Sequence, residues 1–411
     1  MIKSDIKYSK NLPLYFLVAV FLCVSLLATA QKNEDLQNEM KPQKEVLFDR
    51  YLYKIGSSNY IGGYAHGSLN RFETEGISDG FNVTVPSIGA IVQSNIGQLL
   101  RFYAEGEYNS IDKKFQVNNL LIDFSNSPKF GIRIGYYNLP LGFYNQKSIK
   151  AHYNFLDDPL ISTLVLPGPY SDAAFGIYGI LGGEKSIVQL KYQFNVVEGL
   201  NEQILYTPSS NTEMQLGKND DLFFDDNNNL PMYNGRIAFY QKDVFEIGAS
   251  MLAGAYSNIS SDSEPDTIRN LYSGVFDVQL YLGKLKIQSE SALNIIHLPG
   301  SMDELYADKQ YGTFVDLSYE LFNLPHQYKR YLQHSLSIAA RYDFVDLHVG
   351  YFDKTYEQIS NEYYKASVGL VYRPREQSAV ILNGNYQWFY DLLGNPAKKT
   401  MGIEFGFASY F

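Results

Sequence analysis

Charged side chains recur at every second position in several short segments of this sequence. In Leu100–Tyr108, the polar residues Arg101, Tyr103, Glu105 and Glu107 alternate with apolar or small ones. A period of two places successive side chains on opposite faces of a β-strand. Charges of both signs on one face could line a water-filled path, set a transverse field and select ions. The candidate lining residues on this phase are Arg101, Tyr103, Glu105, Glu107, Asp123, Arg133, Lys191, Arg236, Glu246, Asp277, Lys286, Glu290 and Arg341.

A second group of charged residues lies in a long stretch without clear periodicity. The strand pattern of Phe130–Asn138 breaks at Pro140, and alternation resumes only after Ser171. A connection of this length in a chain of short turns is usually functional or disordered. We expect Leu141–Ser171 to act as a plug or constriction that carries Lys147, Lys150, His152, Asp157 and Asp158.

Metal and catalytic chemistry find little support in the residue spacing. The histidines do not follow a metal-ligand pattern. Ser148 and His152 are neighbours in sequence, but nothing positions them as a hydrolase pair. The acidic stretch Asp220–Asn229 lacks the turn glycine and the bidentate glutamate of a calcium loop. We therefore expect no enzyme activity, no metal site and no cofactor.

The composition favours a membrane protein that crosses with strands. The net charge of −10 argues against a nucleic-acid partner. Beyond the N-terminal segment no apolar run is long enough for a spanning helix. Yet 15% of the residues are aromatic, while the mean hydropathy is only −0.21. A transmembrane barrel has this composition, because its aromatic girdles and lipid face are balanced by a polar lumen.

The N-terminal residues have the pattern of an export signal. Three parts follow one another, namely the basic residues Lys3, Lys7 and Lys10, the apolar run Leu12–Leu27 and the small residues Ala28–Ala30. An uncleaved helix is the rival interpretation, but the polar residues after Ala30 favour cleavage. We expect residues 1–30 to be a signal peptide, 31–50 a flexible tail and 51–411 the barrel. The only cysteine, Cys23, lies within the signal.

The strand pattern continues to the last residue, with connections that alternate between short and long. This alternation is typical of transmembrane barrels, which have short periplasmic turns and long outer loops. Phe322–Gln333 is the exception and is expected to be a long periplasmic turn. A seventeenth candidate strand at Asp346–Asp353 is assigned to an outer loop, since single-chain bacterial barrels have even strand numbers. The sequence thus predicts an all-β, 16-stranded antiparallel transmembrane β-barrel whose third outer loop folds inward.

Short motifs in a fixed order resemble one family. They include Gly62-Gly-Tyr64, Leu100–Glu107, Leu139-Pro-Leu-Gly142, Ala174–Gly179, Tyr192–Leu200, Ala340–Asp343 and Gly369–Pro374, and the final strand Met401–Phe411 ends on an aromatic residue. Together they resemble the outer-membrane porins similar to phosphate-selective porins O and P. The resemblance implies a passive, trimeric channel in the outer membrane of a Gram-negative cell. It does not carry phosphate selectivity, because the charges of the lumen phase and of the long loop are mixed.

Two functions follow as hypotheses. The first is a porin, a water-filled diffusion channel for small hydrophilic solutes or ions, with outer-membrane lipid and two further copies of the chain as partners. The second is a closed outer-membrane barrel whose surface loops bind a ligand or a partner. Inward Gly, Ser and Asn favour the open pore, whereas stacked inward rings favour closure. Tyr103, Tyr137, Tyr240 and Tyr281 keep the second hypothesis open.

Overall fold

The structure is a computed structural model. It describes residues 43–44, 50–110, 113–147, 149–182, 186–205, 212–218, 230–257, 268–298, 306–325, 333–352 and 355–411. The expected signal peptide and most of the expected N-terminal tail lie outside these residues, so both stay predictions.

Sixteen strands form one antiparallel barrel. They are β1 (Asn59–Thr74), β2 (Asn82–Ile96), β3 (Leu100–Asn109), β4 (Lys114–Ser127), β5 (Phe130–Asn138), β6 (Ser171–Leu181), β7 (Gln189–Val197), β8 (Met232–Gln241), β9 (Phe245–Ser257), β10 (Arg269–Leu282), β11 (Leu285–Ile296), β12 (Lys309–Pro325), β13 (Gln333–Asp346), β14 (Glu362–Arg375), β15 (Ser378–Tyr390) and β16 (Pro396–Tyr410). The strand number predicted from the sequence is confirmed.

Each strand pairs with the next in the chain, and β16 pairs with β1 to close the cylinder. Phe405 lies opposite Leu69 in that closing pair. The segment Gly350–Tyr351 pairs with Gln358–Ile359 outside the barrel sheet, as expected for the seventeenth candidate. Strand β12 continues to Pro325, so the long turn expected from Phe322 begins four residues later than predicted. Residues 326–332 of that turn lie outside the described residues.

Shorter elements flank the barrel strands. The strand Tyr51–Ile55 pairs with the start of β1, and Ile77–Ser78 pairs with the end of β1. The short strand Gln43–Lys44 pairs with Tyr51 and Leu52, with Lys44 opposite Tyr51. Between β5 and β6 lie the helix α1 (Gly142–Gln146), the 3-10 turn Lys150–His152 and the π-helical turn Ile161–Val165. The 3-10 turns Glu202–Leu205 and Met214–Gly217 follow β7. None of the described helices is long or apolar enough to cross a bilayer.

The two faces of each strand meet different surroundings. On β10, the outward side chains of Tyr272 and Phe276 are 45% and 54% exposed, whereas the residues that follow them, Ser273 and Asp277, are buried. A closed barrel also satisfies the backbone hydrogen bonds of its strands without water, as a bilayer requires. The apolar phase therefore forms the outer surface, and the polar phase faces the lumen.

An arginine in place of Phe276 tests which face meets lipid. Because Phe276 lies midway along β10, Phe276→Arg should destabilise the lipid-embedded barrel by about 2–4 kcal/mol. Leu393→Arg is the matched control, since Leu393 is 74% exposed at the tip of a connection. The folded fraction in vesicles, followed by the heat-dependent gel shift of the barrel, measures both variants. Equal folding of the two would contradict the assigned orientation.

Candidate functional site

The connection between β5 and β6 contacts strands on the far side of the barrel. The amide of Gly142 donates to Ser250 Oγ of β9 at 2.8 Å, and Asn294 Nδ2 of β11 donates to the carbonyl of Val165 at 2.7 Å. The amide of Leu160 donates to Asp343 Oδ1 of β13 at 2.9 Å. These three wall residues belong to the buried polar phase. The segment 139–170 therefore lies against the inward face of the wall.

A close approach at the start of this segment requires a glycine. Gly142 has φ +76°, and a Cβ added there would collide with the carboxylate of Glu290. The same carboxylate accepts the amide of Tyr144 at 3.1 Å. Glu290 is fully buried on β11, so it acts as an anchor for the helix α1 rather than as an exposed lining residue.

The two loop aspartates make ion pairs with different partners. Asp157 Oδ2 lies 2.5 Å from Arg341 Nη2 and also pairs with Lys365, and Arg341 Nε donates to Asp343 Oδ2 at 3.1 Å. Burial alone would raise the pKa of Asp157, but Arg341 and Lys365 lower it to about 2. These contacts fasten the middle of the loop to β13 and β14.

Asp158 is held within the loop itself. Its Oδ1 lies 2.5 Å from Lys150 Nζ and accepts the hydroxyl of Tyr144 at 2.6 Å. Burial alone would raise the pKa of Asp158, yet Lys150 and the hydroxyl of Tyr144 leave it below its usual value. Lys150 and Asp158 thus stiffen the loop.

The remaining basic residues of the loop also have partners on or near the wall. Lys147 Nζ donates to Gln279 Oε1 of β10 at 2.9 Å, and His152 Nε2 lies 2.9 Å from the hydroxyl of Tyr410 on β16. Arg373 of β14 donates to the carbonyl of Tyr153 at 2.8 Å. Of the five loop residues predicted from the sequence, Lys147, His152 and Asp157 thus fasten the loop to the wall, whereas Lys150 and Asp158 stiffen it from within.

Most predicted wall charges occur in clusters of both signs. Asp123 lies between Arg101 Nη2 at 2.6 Å and Arg133 Nε at 2.8 Å, across β3, β4 and β5. On the neighbouring wall, Glu246 pairs with Lys191 at 2.8 Å and Arg236 at 3.0 Å. Arg236 Nη2 also donates to Asp277 Oδ1 at 2.8 Å.

Glu105 and Glu107 have different surroundings. Glu105 is buried and accepts hydrogen bonds from the Tyr103 hydroxyl at 3.0 Å and Asn119 Nδ2 at 2.9 Å. Glu107 is partly exposed and accepts the hydroxyl of Tyr64 at 2.9 Å. Of these partners only Tyr103 was among the predicted site residues.

The clusters of Arg101 and Lys191 border one water-accessible chamber of about 730 Å³. It opens among the short turns that follow β2 and β4, and Pro140 and Gln146 of the long loop form part of its wall. The side chains of Arg101 and Lys191 are 24% and 36% exposed. Charged groups of both signs therefore meet water at this end of the barrel.

The inward tyrosines divide into two groups. Tyr103 and Tyr137 are fully buried, whereas Tyr240 and Tyr281 are partly exposed. Lys191 Nζ lies 3.9 Å from the centroid of the Tyr240 ring, and Lys286 Nζ lies 5.7 Å from that of Tyr281. Tyr103 and Tyr137 therefore fill part of the lumen, whereas Tyr240 and Tyr281 leave their rings partly accessible to water.

Several functional residues escaped the sequence reasoning. Arg50 pairs with Glu105 at 3.2 Å, although it was placed in the flexible tail. Lys365 and Asp343 anchor the loop, and extending the period of two along β13 and β14 would have found both. No group of three or more His, Cys, Asp or Glu among the described residues could hold a metal ion.

Asparagine at position 157 tests the main anchor of the loop. The pKa of Asp157 is lower in the folded protein than its ordinary value of 3.8, so the ionised side chain stabilises the fold at every pH above 3.8. This contribution is lost as the pH falls through about 2. Asp157→Asn should therefore lower the free energy of unfolding by about 2 kcal/mol at pH 7 and by much less at pH 2. Denaturant midpoints from circular dichroism provide the measurement.

Asp79→Asn, at an exposed aspartate in the connection after β1, is the control and should change little at either pH. A difference between Asp157→Asn and the unmodified protein that is as large at pH 2 as at pH 7 would contradict the ion pair.

The chain is similar in structure to several solved outer-membrane proteins. The chain is similar to the anion-selective porin from Comamonas acidovorans, with 11% identity over 86% of this chain and 100% of that one and a TM-score of 0.54. It is also similar to the outer membrane channel DcaP of Acinetobacter baumannii, with 12% identity over 87% of this chain and 99% of that one and a TM-score of 0.54. A third similar structure is Salmonella typhi OmpF in complex with daunomycin, with 13% identity over 86% of this chain and 99% of that one and a TM-score of 0.52. No family model and no curated protein matches the sequence. At these identities the likeness shows the fold, which is that of a porin.

Proposed function

We propose that this protein is a porin of the outer membrane, a passive diffusion channel for small hydrophilic solutes or ions. The observation that carries the proposal is the charged, water-accessible chamber of about 730 Å³ inside a closed barrel with an apolar exterior. Passive flow needs only a polar path of sufficient width, and a chamber lined by Arg101, Lys191 and Glu246 supports the proposal that the lumen contains one.

The segment 139–170 is the constriction of this proposed channel. Its contacts with strands between β9 and β16 support that role, because a loop that is fastened at many points keeps the width of the channel beside it constant. Solutes would pass between this loop and the wall that carries Arg101 and Lys191. Selection would then depend mainly on size and polarity.

The ion pairs argue against a dedicated phosphate path. Capture of phosphate needs a cluster of cations whose charge is not already balanced. Here Arg133 is paired with Asp123, Arg236 with Asp277, and Arg341 with Asp157 and Asp343. We therefore propose general diffusion, although the sequence motifs resemble phosphate-selective porins O and P.

A closed barrel that binds a ligand with its outer loops is the second candidate. It is favoured by the complete burial of Tyr103, Tyr137 and Phe155, which fill part of the lumen. The two candidates differ in a planar bilayer. A porin gives stepwise conductance, whereas a closed barrel gives none.

Export and assembly belong to the same proposal. Cleavage of residues 1–30 would deliver the chain to the cell envelope, and three copies would form the trimer that the resemblance implies. N-terminal sequencing of the mature protein should then begin at Gln31. A mature protein that retains Leu12–Leu27 would contradict the signal peptide.

Two adjacent residues of β7 provide a matched test of the conducting path. Gln193 lines the chamber, whereas Phe194 is 48% exposed on the outer surface. Gln193→Trp should lower single-channel conductance roughly twofold or more, because the larger ring narrows the path. Phe194→Trp should leave it unchanged, since aromatic rings suit the lipid face.

Planar-bilayer recordings of the purified protein and both variants give the measurement. If the unmodified protein shows no conductance steps, the porin proposal fails. If both tryptophan variants conduct equally, the path does not pass through the chamber.

A further inference from the structure

The residues before β1 form a short arm that reaches into the lumen. Tyr51–Ile55 pairs with the start of β1, with Tyr53 opposite Ile61. A Cβ added at Gly62 would lie 2.6 Å from the carbonyl oxygen of Tyr51 and 2.9 Å from Leu52 Cδ2. The absence of a side chain at Gly62 therefore lets the arm, Arg50–Ile55, pack closely on β1.

The arm contacts the long loop and the end of the barrel. Tyr51 is 5% exposed and Leu52 1%. The Tyr51 ring lies with its centroid 6.2 Å from that of His152, nearly parallel to it, and 5.2 Å from that of Tyr410, edge to face. Such ring pairs stabilise a contact beyond the apolar area they bury. The arm and the loop thus form one packed unit.

The first residue of the arm neutralises a wall carboxylate. Arg50 is fully buried, and its Nη2 lies 3.2 Å from Glu105 Oε1 while Nε lies 3.3 Å from both carboxylate oxygens. Glu105 keeps two further donors, Tyr103 and Asn119. A buried ion loses its water shell, and removing one partner of such a pair leaves the other charge uncompensated.

We infer that the arm is a second element of the constriction, and that Arg50 sets its ion preference by cancelling the charge of Glu105. This inference rests on the proposed channel function. Glu107 lies two residues further along β3, so the lumen beside the arm would otherwise present two carboxylates of one strand. With Arg50 in place, the charge of Glu105 is cancelled and Glu107 remains the one carboxylate of this pair without a cationic partner among the described contacts.

Reversal potentials in a salt gradient test this inference. Arg50→Met keeps a long unbranched side chain but removes the positive charge that balances Glu105. The ratio of cation to anion permeability should therefore rise at least about threefold. The double variant Arg50→Met with Glu105→Gln should return toward the unmodified ratio. Arg50→Lys keeps the charge and should change the ratio little.

Lys54→Met is the matched control, because Lys54 belongs to the same arm but is exposed. Removing its positive charge should leave the ratio near that of the unmodified protein. The heat-dependent gel shift establishes that each variant is folded before recording.

Three outcomes would overturn the inference. One is an unchanged ratio for folded Arg50→Met, and another is a shift for Arg50→Lys that equals the shift for Arg50→Met. The third is a double variant that stays as cation-preferring as Arg50→Met. Each of these requires a conducting protein, so it is distinguishable from failure of the channel proposal, in which the unmodified protein gives no current.

Discussion

Closure of the sheet is the constraint on which the rest of this structure depends. Once β16 pairs with β1, no long strand edge is left and each strand has one face outside and one inside. The outward phase, with residues such as Phe276 and Phe405, can then be almost entirely apolar. The polar phase is confined to a lumen of limited volume. Charges there lose much of their hydration, so the structure stabilises them by pairing them with opposite charges.

This need for partners explains how the long loop is held. The loop supplies Asp157 to Arg341 and Lys365 and accepts donors from Asn294 and Arg373. The loop therefore supplies partners for the ion pairs and hydrogen bonds of the inner wall. The same contacts leave a chamber on one side, where Arg101 and Lys191 still meet water. A fixed loop with a one-sided passage fits general diffusion better than capture of a single ion.

The sequence predicted the barrel well, because a period of two repeated over sixteen segments depends on local residue order alone. It also identified the charged phase, from Arg101 to Arg341, and the long irregular connection. What it could not predict was pairing in space. Whether Glu290 meets water or holds α1 depends on how deeply the loop folds into the lumen. The alternation of polar and apolar residues does not contain that information. No feature of the sequence predicted the role of Arg50, because its partner Glu105 lies 55 residues away and the arm has no repeating pattern.

The central claim is that water and small solutes pass through the lumen beside the fastened loop. Swelling of liposomes that contain the purified protein tests it most directly, with neutral sugars of increasing size. A passive channel of fixed width predicts fast swelling with small sugars, a steady fall in rate as the sugar grows, and no dependence on the chemical identity of sugars of equal size. Swelling no faster than that of protein-free liposomes, for every sugar, would contradict the account.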